Sequence, residues 1–242
     1  MKPSISAADL DLLRRYDTPT ICNVIEMFEV RPRHTGYLDS RIRACFPEMP
    51  PMVGFACTAT FRSGAPPAKG NVYASLDRHV AAFAEVSAPP IPVFQDLDDP
   101  AASATFGEVM CTTYKRFGAA GLITSGAARD LDQVRRLGFP SFSNGVICSH
   151  GWAHFVDVNV PVRVGGVTIT PGDLLHGDAN GVTTIPIEIA SAVAHACEEY
   201  MAAEQVVMDY CQSAEVGVAG FAEARAECGR RIAALGERVR KR

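Results

Sequence analysis

One stretch, Phe106–Asp132, constrains the fold of this chain more than any other: FGEVMCTTYKRFGAAGLITSGAARDLD. It predicts a helix that is opened by Gly107-Glu108 and stops at Gly118. A short apolar strand follows at Gly121–Thr124, and a glycine stands on each side of it. This pattern is typical of a central strand that delivers polar residues to the edge of a sheet.

The residues after that strand are the strongest candidates for a site. A tight turn at Ser125–Ala128 leads into Arg129-Asp130, where a strand ends and a new helix begins. The N-terminus of that helix would face any bound anionic group. Glu108 precedes Arg129 by twenty intervening residues, and a strand–helix return would bring the two together. We therefore predict an active site at Glu108, Arg129 and Asp130.

An Arg-Asp pair at such a junction also has a purely structural interpretation, in which both residues pair with other charges and hold the turn. Small residues before Arg129 leave open space beside its guanidinium, and Glu108 can add a second carboxylate. One or two carboxylates suit hydrated Mg²⁺ or Mn²⁺, and the arginine fork suits a carboxylate or enolate oxygen. The set favours metal-assisted chemistry on a 2-oxo acid, with negative charge developing as a carbon–carbon bond breaks.

Composition excludes several classes of protein. Hydrophobic residues make up 48% of the 242 residues and charged residues 21%, which predicts an ordinary folded core. A net charge of −4 does not favour a nucleic-acid surface. The eight cysteines contain no CxxC pair and indicate reduced thiols, and no apolar run approaches the ~20 residues of a membrane span. We expect a cytoplasmic protein without nucleic-acid or membrane partners.

The order of the predicted elements indicates an α/β class. An α/β unit is followed by an antiparallel layer in which Phe155–Val164 alternates and Gly165-Gly166 makes a hairpin turn. Residues 31–52 are interpreted as a surface excursion and Val72–Ser87 as a helix. We place the domain boundary between residues 1–216 and a C-terminal helical extension, 217–242.

Other motifs are weak or missing. No dinucleotide loop, Walker A loop, serine-hydrolase elbow or HExxH zinc motif is present. Glu199 and Glu204 lie on a long helix predicted to begin at Pro186; they are either a solvated helix face or donors to the site of an adjacent subunit. The basic C-terminal tail, residues 230–242 (RRIAALGERVRKR), has three interpretations. It is a solvated helix end, a nucleic-acid or membrane arm, or a docking segment for a neighbouring subunit.

Several separated motifs occur in an order that resembles the RraA-like family, which includes the regulator of ribonuclease activity A and the 4-hydroxy-4-methyl-2-oxoglutarate aldolases. The resemblance spans roughly Thr18 to Tyr210. The matching residues are Gly107-Glu108, Gly118, Gly121, Gly126, Arg129-Asp130, Leu137–Phe142, Pro161–Val167, Pro171-Gly172-Asp173, Asp178–Val182 and Pro186.

The resemblance implies a swivelling β/β/α fold, assembled as a homotrimer or homohexamer with the site between subunits. In this chain we expect that fold to carry a C-terminal helical extension, which is an addition to the family pattern, as is the segment 31–52. Asp130 would bind Mg²⁺ (or Mn²⁺) directly, and Glu108 would hold it through water. Glu204 of a neighbouring subunit, preferred over Glu199, would also act through water. Arg129 would clamp the pyruvyl group.

The same resemblance places the amides of Val109 and Met110 on the substrate carboxylate. It implies a class II lyase that cleaves 4-hydroxy-4-methyl-2-oxoglutarate-like substrates by a retro-aldol reaction, decarboxylates oxaloacetate, or both, and releases pyruvate. The alternative is a regulatory protein that binds ribonuclease E without catalysis. Ser125 and Lys69-Gly70-Asn71 depart from the family pattern, so the natural substrate stays open.

Overall fold

The computed structural model describes residues 5–73 and 75–241, which fall into two compact units. One contains the residues up to His34 together with those from Ile187 onward, and the other is Thr35–Pro186. Residues 1–4 and 242, at the outer limits of the two predicted domains, lie outside the described residues. In the described part of the chain, no helix combines the length and apolar character required to cross a membrane.

The secondary structure consists of helices and short strands. The helices are α1 (Ala7–Leu13), α2 (Thr18–Met27), α3 (Leu76–Ala81), α4 (Glu108–Arg116), α5 (Leu131–Leu137), α6 (Ala190–Cys211) and α7 (Val218–Arg240). The strands are β1 (Arg43–Ala44), β2 (Met52–Arg62), β3 (Pro90–Asp96), β4 (Ala104–Phe106), β5 (Leu122–Thr124), β6 (Ala127–Ala128), β7 (Ser141–Ser143), β8 (His154–Val158), β9 (Val162–Val164), β10 (Val167–Ile169), β11 (Leu174–Asp178) and β12 (Gly181–Ile185).

The helical unit consists of α1, α2, α6 and α7, with α6 packed against the other three. Its first two helices begin at side-chain caps: Ser6 accepts the amide of Asp9, and Asp17 accepts the amide of Thr20. Both starts carry sequence signals of a helix N-terminus: an aspartate three residues after Ser6, and a proline two residues after Asp17. The predicted boundary at residue 216 falls in the connection between α6 and α7.

The larger unit is built on a mixed sheet of eight strands, ordered β1-β7-β5-β3-β2-β11-β12 with β8 pairing to β2. Strands β2, β3, β5 and β7 run parallel, whereas β1, β8, β11 and β12 join antiparallel. The predicted α/β class is confirmed. Strand β2 pairs with β3, β11 and β8 and is buried on both faces, although its alternating sequence is typical of a half-buried strand.

Two sequence-based assignments are wrong. Residues 31–52 are not a surface excursion, because Leu38, Ile42 and Phe46 are buried and β1 pairs with β7. The predicted helix Val72–Ser87 begins only at Leu76, because the preceding residue, Ser75, has a left-handed backbone. It then tightens into a 3₁₀ turn at Ala82–Glu85.

Strands β9 and β10 form an antiparallel hairpin, which was predicted from Gly165-Gly166. A third sheet, also of two strands, was not predicted. It consists of β4 and β6, which pair parallel through Ala104↔Ala127 and Phe106↔Ala128. These strands are too short to show the period of two that identifies a strand in sequence. Their pairing sets side by side the two points where helices α4 and α5 begin.

A buried histidine lies in the core of this unit. The Nε2 of His79 is 3.3 Å from the carbonyl oxygen of Cys57, and its Nδ1 is 2.8 Å from the hydroxyl of Tyr114. Since a carbonyl can only accept, Nε2 carries the proton and Nδ1 accepts from Tyr114. Burial lowers the pKa of His79 from 6.5 to about 4.

A second buried group of this unit is Asp96, at the end of β3. Burial raises its pKa from 3.8 to about 6.

These two groups oppose each other in their effect on stability. Below pH 6.5 the unfolded chain protonates His79 before the folded protein does, so this residue destabilises the fold as the pH falls toward 4, by up to ~1.4 kcal/mol per pH unit. Asp96 holds its proton more tightly in the folded protein, so its stabilising contribution is lost as the pH rises toward 6.

We therefore expect Asp96→Asn to steepen the loss of stability between pH 6.5 and pH 4.5, and His79→Gln to flatten or reverse it. Urea unfolding at the two pH values measures this, with Trp152, the single tryptophan, as a fluorescent reporter inside the same unit. A His79→Gln protein that loses as much stability on acidification as the wild type would contradict the assignment.

Candidate active site

The candidate site forms where strands β4 and β6 end and the following helices, α4 and α5, begin. Gly107 precedes α4, and Asp130 precedes α5 in a left-handed conformation with φ 56°. Asparagine and aspartate tolerate this conformation better than most residues. Because β4 and β6 are paired, the junction at Glu108 and the junction at Arg129-Asp130 lie side by side, as the sequence spacing predicted.

The contact between the two junctions is a hydrogen bond from a backbone amide to a carboxylate. The amide of Glu108 donates to Oδ2 of Asp130 at 3.0 Å. Gly107 makes no side-chain cap to α4, so Asp130 supplies a distant, charged cap to the first turn of that helix. It is thus the backbone of Glu108, rather than its carboxylate, that contacts Asp130.

Gly107 allows this close approach. A Cβ atom at this position would collide with Oδ2 of Asp130 and would lie 3.0 Å from Nε of Arg129. The backbone of Gly107 is extended, a conformation open to any residue. Glycine is required here because a Cβ atom has no room.

Arg129 is held on three sides. Its amide donates to the carbonyl of Phe106 at 3.1 Å, and its Nε lies 3.8 Å from Oδ2 of Asp130. Its Nη2 donates to the hydroxyl of Tyr73 at 3.2 Å. Nε is buried and has no hydrogen-bond partner among the described residues. The side chain is 26% exposed, so part of the guanidinium is open to a ligand.

Two further donors lie at the start of α4. The amides of Val109 and Met110 come before the first intrahelical bond, which Cys111 donates to Gly107, and donate to no acceptor among the described residues. The side chain of Val109 is exposed and that of Met110 is buried. Free amides at a helix start suit a carboxylate.

The partly exposed carboxylate of Asp130 fits a hydrated divalent ion, whereas the described residues around it form no closed metal cage. Asp130 is 31% exposed, and its Oδ1 accepts no hydrogen bond within the described part of the chain. The Glu108 side chain is also exposed. Among residues 5–73 and 75–241, no group of three or more His, Cys, Asp or Glu side chains could hold a metal. Mg²⁺ keeps several waters and needs few protein ligands, so one or two carboxylates suffice.

Glu199 and Glu204, the two glutamates of α6 considered as donors to a neighbouring subunit, belong to the helical unit. Glu199 pairs with Arg238 of α7. Burial, and then the charge and hydrogen bond of Glu204, raise the pKa of Tyr200 to about 12. These contacts account for both glutamates within their own unit. A role of Glu204 at the metal site of a neighbouring subunit remains a prediction.

Sequence reasoning missed Tyr73. This residue was assigned to a helix, whereas its backbone is left-handed, with φ 62°. Its contact with Arg129 joins residues 56 positions apart. Gly70-Asn71 marks a turn before Val72, but no residue pattern indicated that the turn continues to Ser75.

Comparisons with known proteins agree with the fold. The model of the RraA-like family, described as Aldolase/RraA, matches residues 18–184. A Halalkalibacterium halodurans protein named "Putative 4-hydroxy-4-methyl-2-oxoglutarate aldolase" is 42% identical over 84 residues, which are 34% of this chain and 40% of that relative. The chain therefore spans less than half of the length of this relative.

Two solved structures extend the similarity to most of the chain. One, an uncharacterized protein from Pseudomonas syringae pv. tomato, has a TM-score of 0.72 at 22% identity and covers 93% of this chain and 97% of its own. The other is Streptomyces coelicolor RraAS2, described as an unusual member of the RNase ES inhibitor RraA protein family. It has a TM-score of 0.64 at 26% identity and covers 84% of this chain and 97% of its own. The predicted fold is confirmed.

Replacing Gly107 tests the contact between the two junctions. We expect Gly107→Ala to lower the free energy of unfolding by about 2 kcal/mol, because the new methyl group displaces the Asp130 carboxylate from the start of α4. Gly217→Ala is the matched control: Gly217 also precedes a helix with an extended backbone, and a Cβ there meets nothing within 4 Å. Its cost should stay below about 1 kcal/mol.

Scanning calorimetry of both variants measures the difference, since it reports on both compact units. Equal destabilisation by the two substitutions would show that Gly107 acts only as a helix-start residue and not as space for Asp130.

Proposed function

The chain belongs to the RraA-like family, and we propose that it is a divalent-metal-dependent lyase acting on 2-oxo acids. The reaction would be retro-aldol cleavage of 4-hydroxy-4-methyl-2-oxoglutarate-like substrates, decarboxylation of oxaloacetate, or both, with pyruvate as product. The observation that carries the proposal is the convergence of Arg129, Asp130 and the first turn of α4 at one partly exposed point.

Arg129 would bind the pyruvyl part of the substrate. Its guanidinium offers N–H groups in one plane, which match the two oxygens of a keto acid or its enolate. The amides of Val109 and Met110 would receive the substrate carboxylate at the start of α4. Together these groups fix the 2-oxo acid before any bond breaks.

Asp130 would hold Mg²⁺ or Mn²⁺ directly, and Glu108 would hold it through water. The bound ion would act as a Lewis acid that polarises the keto group. Solvent water would take the proton of the 4-hydroxyl, and C4 would become the carbonyl carbon of the second product as the C3–C4 bond breaks and its electron pair moves into the pyruvate enolate. Arg129 would stabilise the negative charge on the enolate oxygen, and a proton returned from water to C3 would complete pyruvate.

In this proposal the protein works as a homotrimer or homohexamer, and a neighbouring subunit supplies Glu204. The half-buried carboxylate of Glu204, which is close to Tyr200 in its own unit, is the candidate for that role. Decarboxylation of oxaloacetate uses the same clamp and needs fewer contacts to the rest of the substrate.

The metal and its ligand can be tested together. We expect pyruvate release from either substrate to require Mg²⁺ or Mn²⁺ and to stop with EDTA. Asp130→Asn preserves the left-handed backbone and an acceptor for Glu108 but removes the charge, and we expect kcat/KM to fall about a hundredfold or more. Asp132→Asn is the control, because Asp132 lies two residues along on the surface and, among the described residues, forms its ion pair with Arg135.

The measurement is pyruvate formation, coupled to lactate dehydrogenase. A wild-type protein that forms no metal-dependent pyruvate from 4-hydroxy-4-methyl-2-oxoglutarate or oxaloacetate would overturn the proposal.

The clamp has its own test. Arg129→Lys retains the positive charge but loses the fork, so we expect kcat/KM to fall by roughly a hundredfold. Arg135→Lys, an exposed arginine of α5 that pairs with Glu48 and Asp132, should leave the rate unchanged. Steady-state kinetics on both variants decides, and an Arg129→Lys rate within twofold of the wild type would exclude a role for the fork.

A regulatory role is the second candidate, favoured by the similarity to the Streptomyces coelicolor protein of the RNase ES inhibitor family. In that case the chain would bind ribonuclease E without catalysis. Binding of purified ribonuclease E by the wild type, together with no pyruvate release under any metal condition, would reverse our preference.

A further inference from the structure

Arg129 depends on one side chain for its orientation. Among the described residues, the hydroxyl of Tyr73 is the only hydrogen-bond acceptor that the Arg129 side chain uses, at 3.2 Å from Nη2. The contact with Asp130 is an ion pair at 3.8 Å, longer than a hydrogen bond, and Nε is buried without a partner. A fork that must meet two substrate oxygens in one plane needs its plane fixed.

Tyr73 is itself held firmly. Its amide donates to the carbonyl of Ala153, and its ring lies 5.7 Å from the ring of His150. Its left-handed backbone, with φ 62°, is a costly conformation for an aromatic residue, by roughly 1 kcal/mol or more. Such a conformation persists only when neighbouring contacts determine it, and the result is a hydroxyl at a fixed position beside the guanidinium.

We infer that Tyr73 is a positioning residue that fixes the plane of the Arg129 guanidinium for binding of the 2-oxo acid. Its hydroxyl occupies an N–H of Nη2 and leaves the remaining guanidinium donors for the ligand. The inference rests on the proposed function, since Arg129 is the clamp in that reaction. Tyr73 acts through Arg129 and takes no part in bond breaking.

Tyr73→Phe is the appropriate variant because it removes only the hydroxyl. The ring can still pack beside His150, and the amide can still bond to Ala153. The control is Tyr37→Phe, which removes the hydroxyl of an exposed tyrosine in the same unit. Circular dichroism and thermal unfolding establish that each variant is folded before binding is measured.

The first readout is binding of oxalate, a planar dianion that imitates the pyruvate enolate, by calorimetry in the presence of Mg²⁺. We expect Tyr73→Phe to weaken binding about tenfold, the effect of one hydrogen bond of ordinary strength. Tyr37→Phe should bind oxalate as the wild type does. Pyruvate release by Tyr73→Phe should fall by a similar factor.

The second readout is a double-mutant cycle. If Tyr73 acts through the guanidinium, Tyr73→Phe should have no further effect on oxalate binding once Arg129→Lys is present. A purely structural role of Tyr73 would instead weaken binding by the same factor in both backgrounds.

The outcomes separate this inference from the proposed function. A wild type that releases pyruvate, with a Tyr73→Phe variant that binds oxalate equally well, overturns the role of Tyr73 and leaves the lyase intact. A wild type that releases no pyruvate overturns the lyase, and the oxalate cycle then still decides on Tyr73. Additive effects in the cycle overturn the positioning role, as does a wild type that does not bind oxalate.

Discussion

The hydrogen bond from the Glu108 amide to the Asp130 carboxylate is the interaction on which the candidate site depends. It ties together two strand-to-helix junctions that lie more than twenty residues apart in the chain. The carboxylate satisfies a free amide at the start of α4 and complements the positive end of that helix. The same carboxylate forms an ion pair with Nε of Arg129, at 3.8 Å. Structure and candidate chemistry therefore share one group, and the structural interpretation of the Arg-Asp pair and the functional one do not exclude each other.

Local chemistry explains which parts of the fold could be predicted. Ser6 and Asp17 cap their helices because their side chains reach amides three residues away, and Gly138 ends α5 because it adopts a left-handed backbone. These signals are contained in a few consecutive residues. Strands β4 and β6 escaped prediction because three and two residues carry no periodicity. Their partners are set by the tertiary fold.

At the candidate site, residue spacing was predictive and backbone contacts were not. The spacing predicted that the segments with Glu108 and with Arg129-Asp130 lie side by side, because a helix and a strand between them return the chain to the same edge. It did not show that the amide of Glu108 makes the contact, since every residue carries an amide. Nor did it find Tyr73, whose hydroxyl reaches Arg129 from a distant loop. The position of a loop side chain depends on backbone angles that residue patterns do not encode.

The parallel pairing of β4 with β6 also determines where the chain can change its length. Register at Phe106↔Ala128 sets how far each strand advances before its helix begins. One residue added in either short junction would turn the following helix by about a quarter turn and carry Asp130 or the Glu108 amide out of reach. Insertions are therefore expected to be rare at the two junctions.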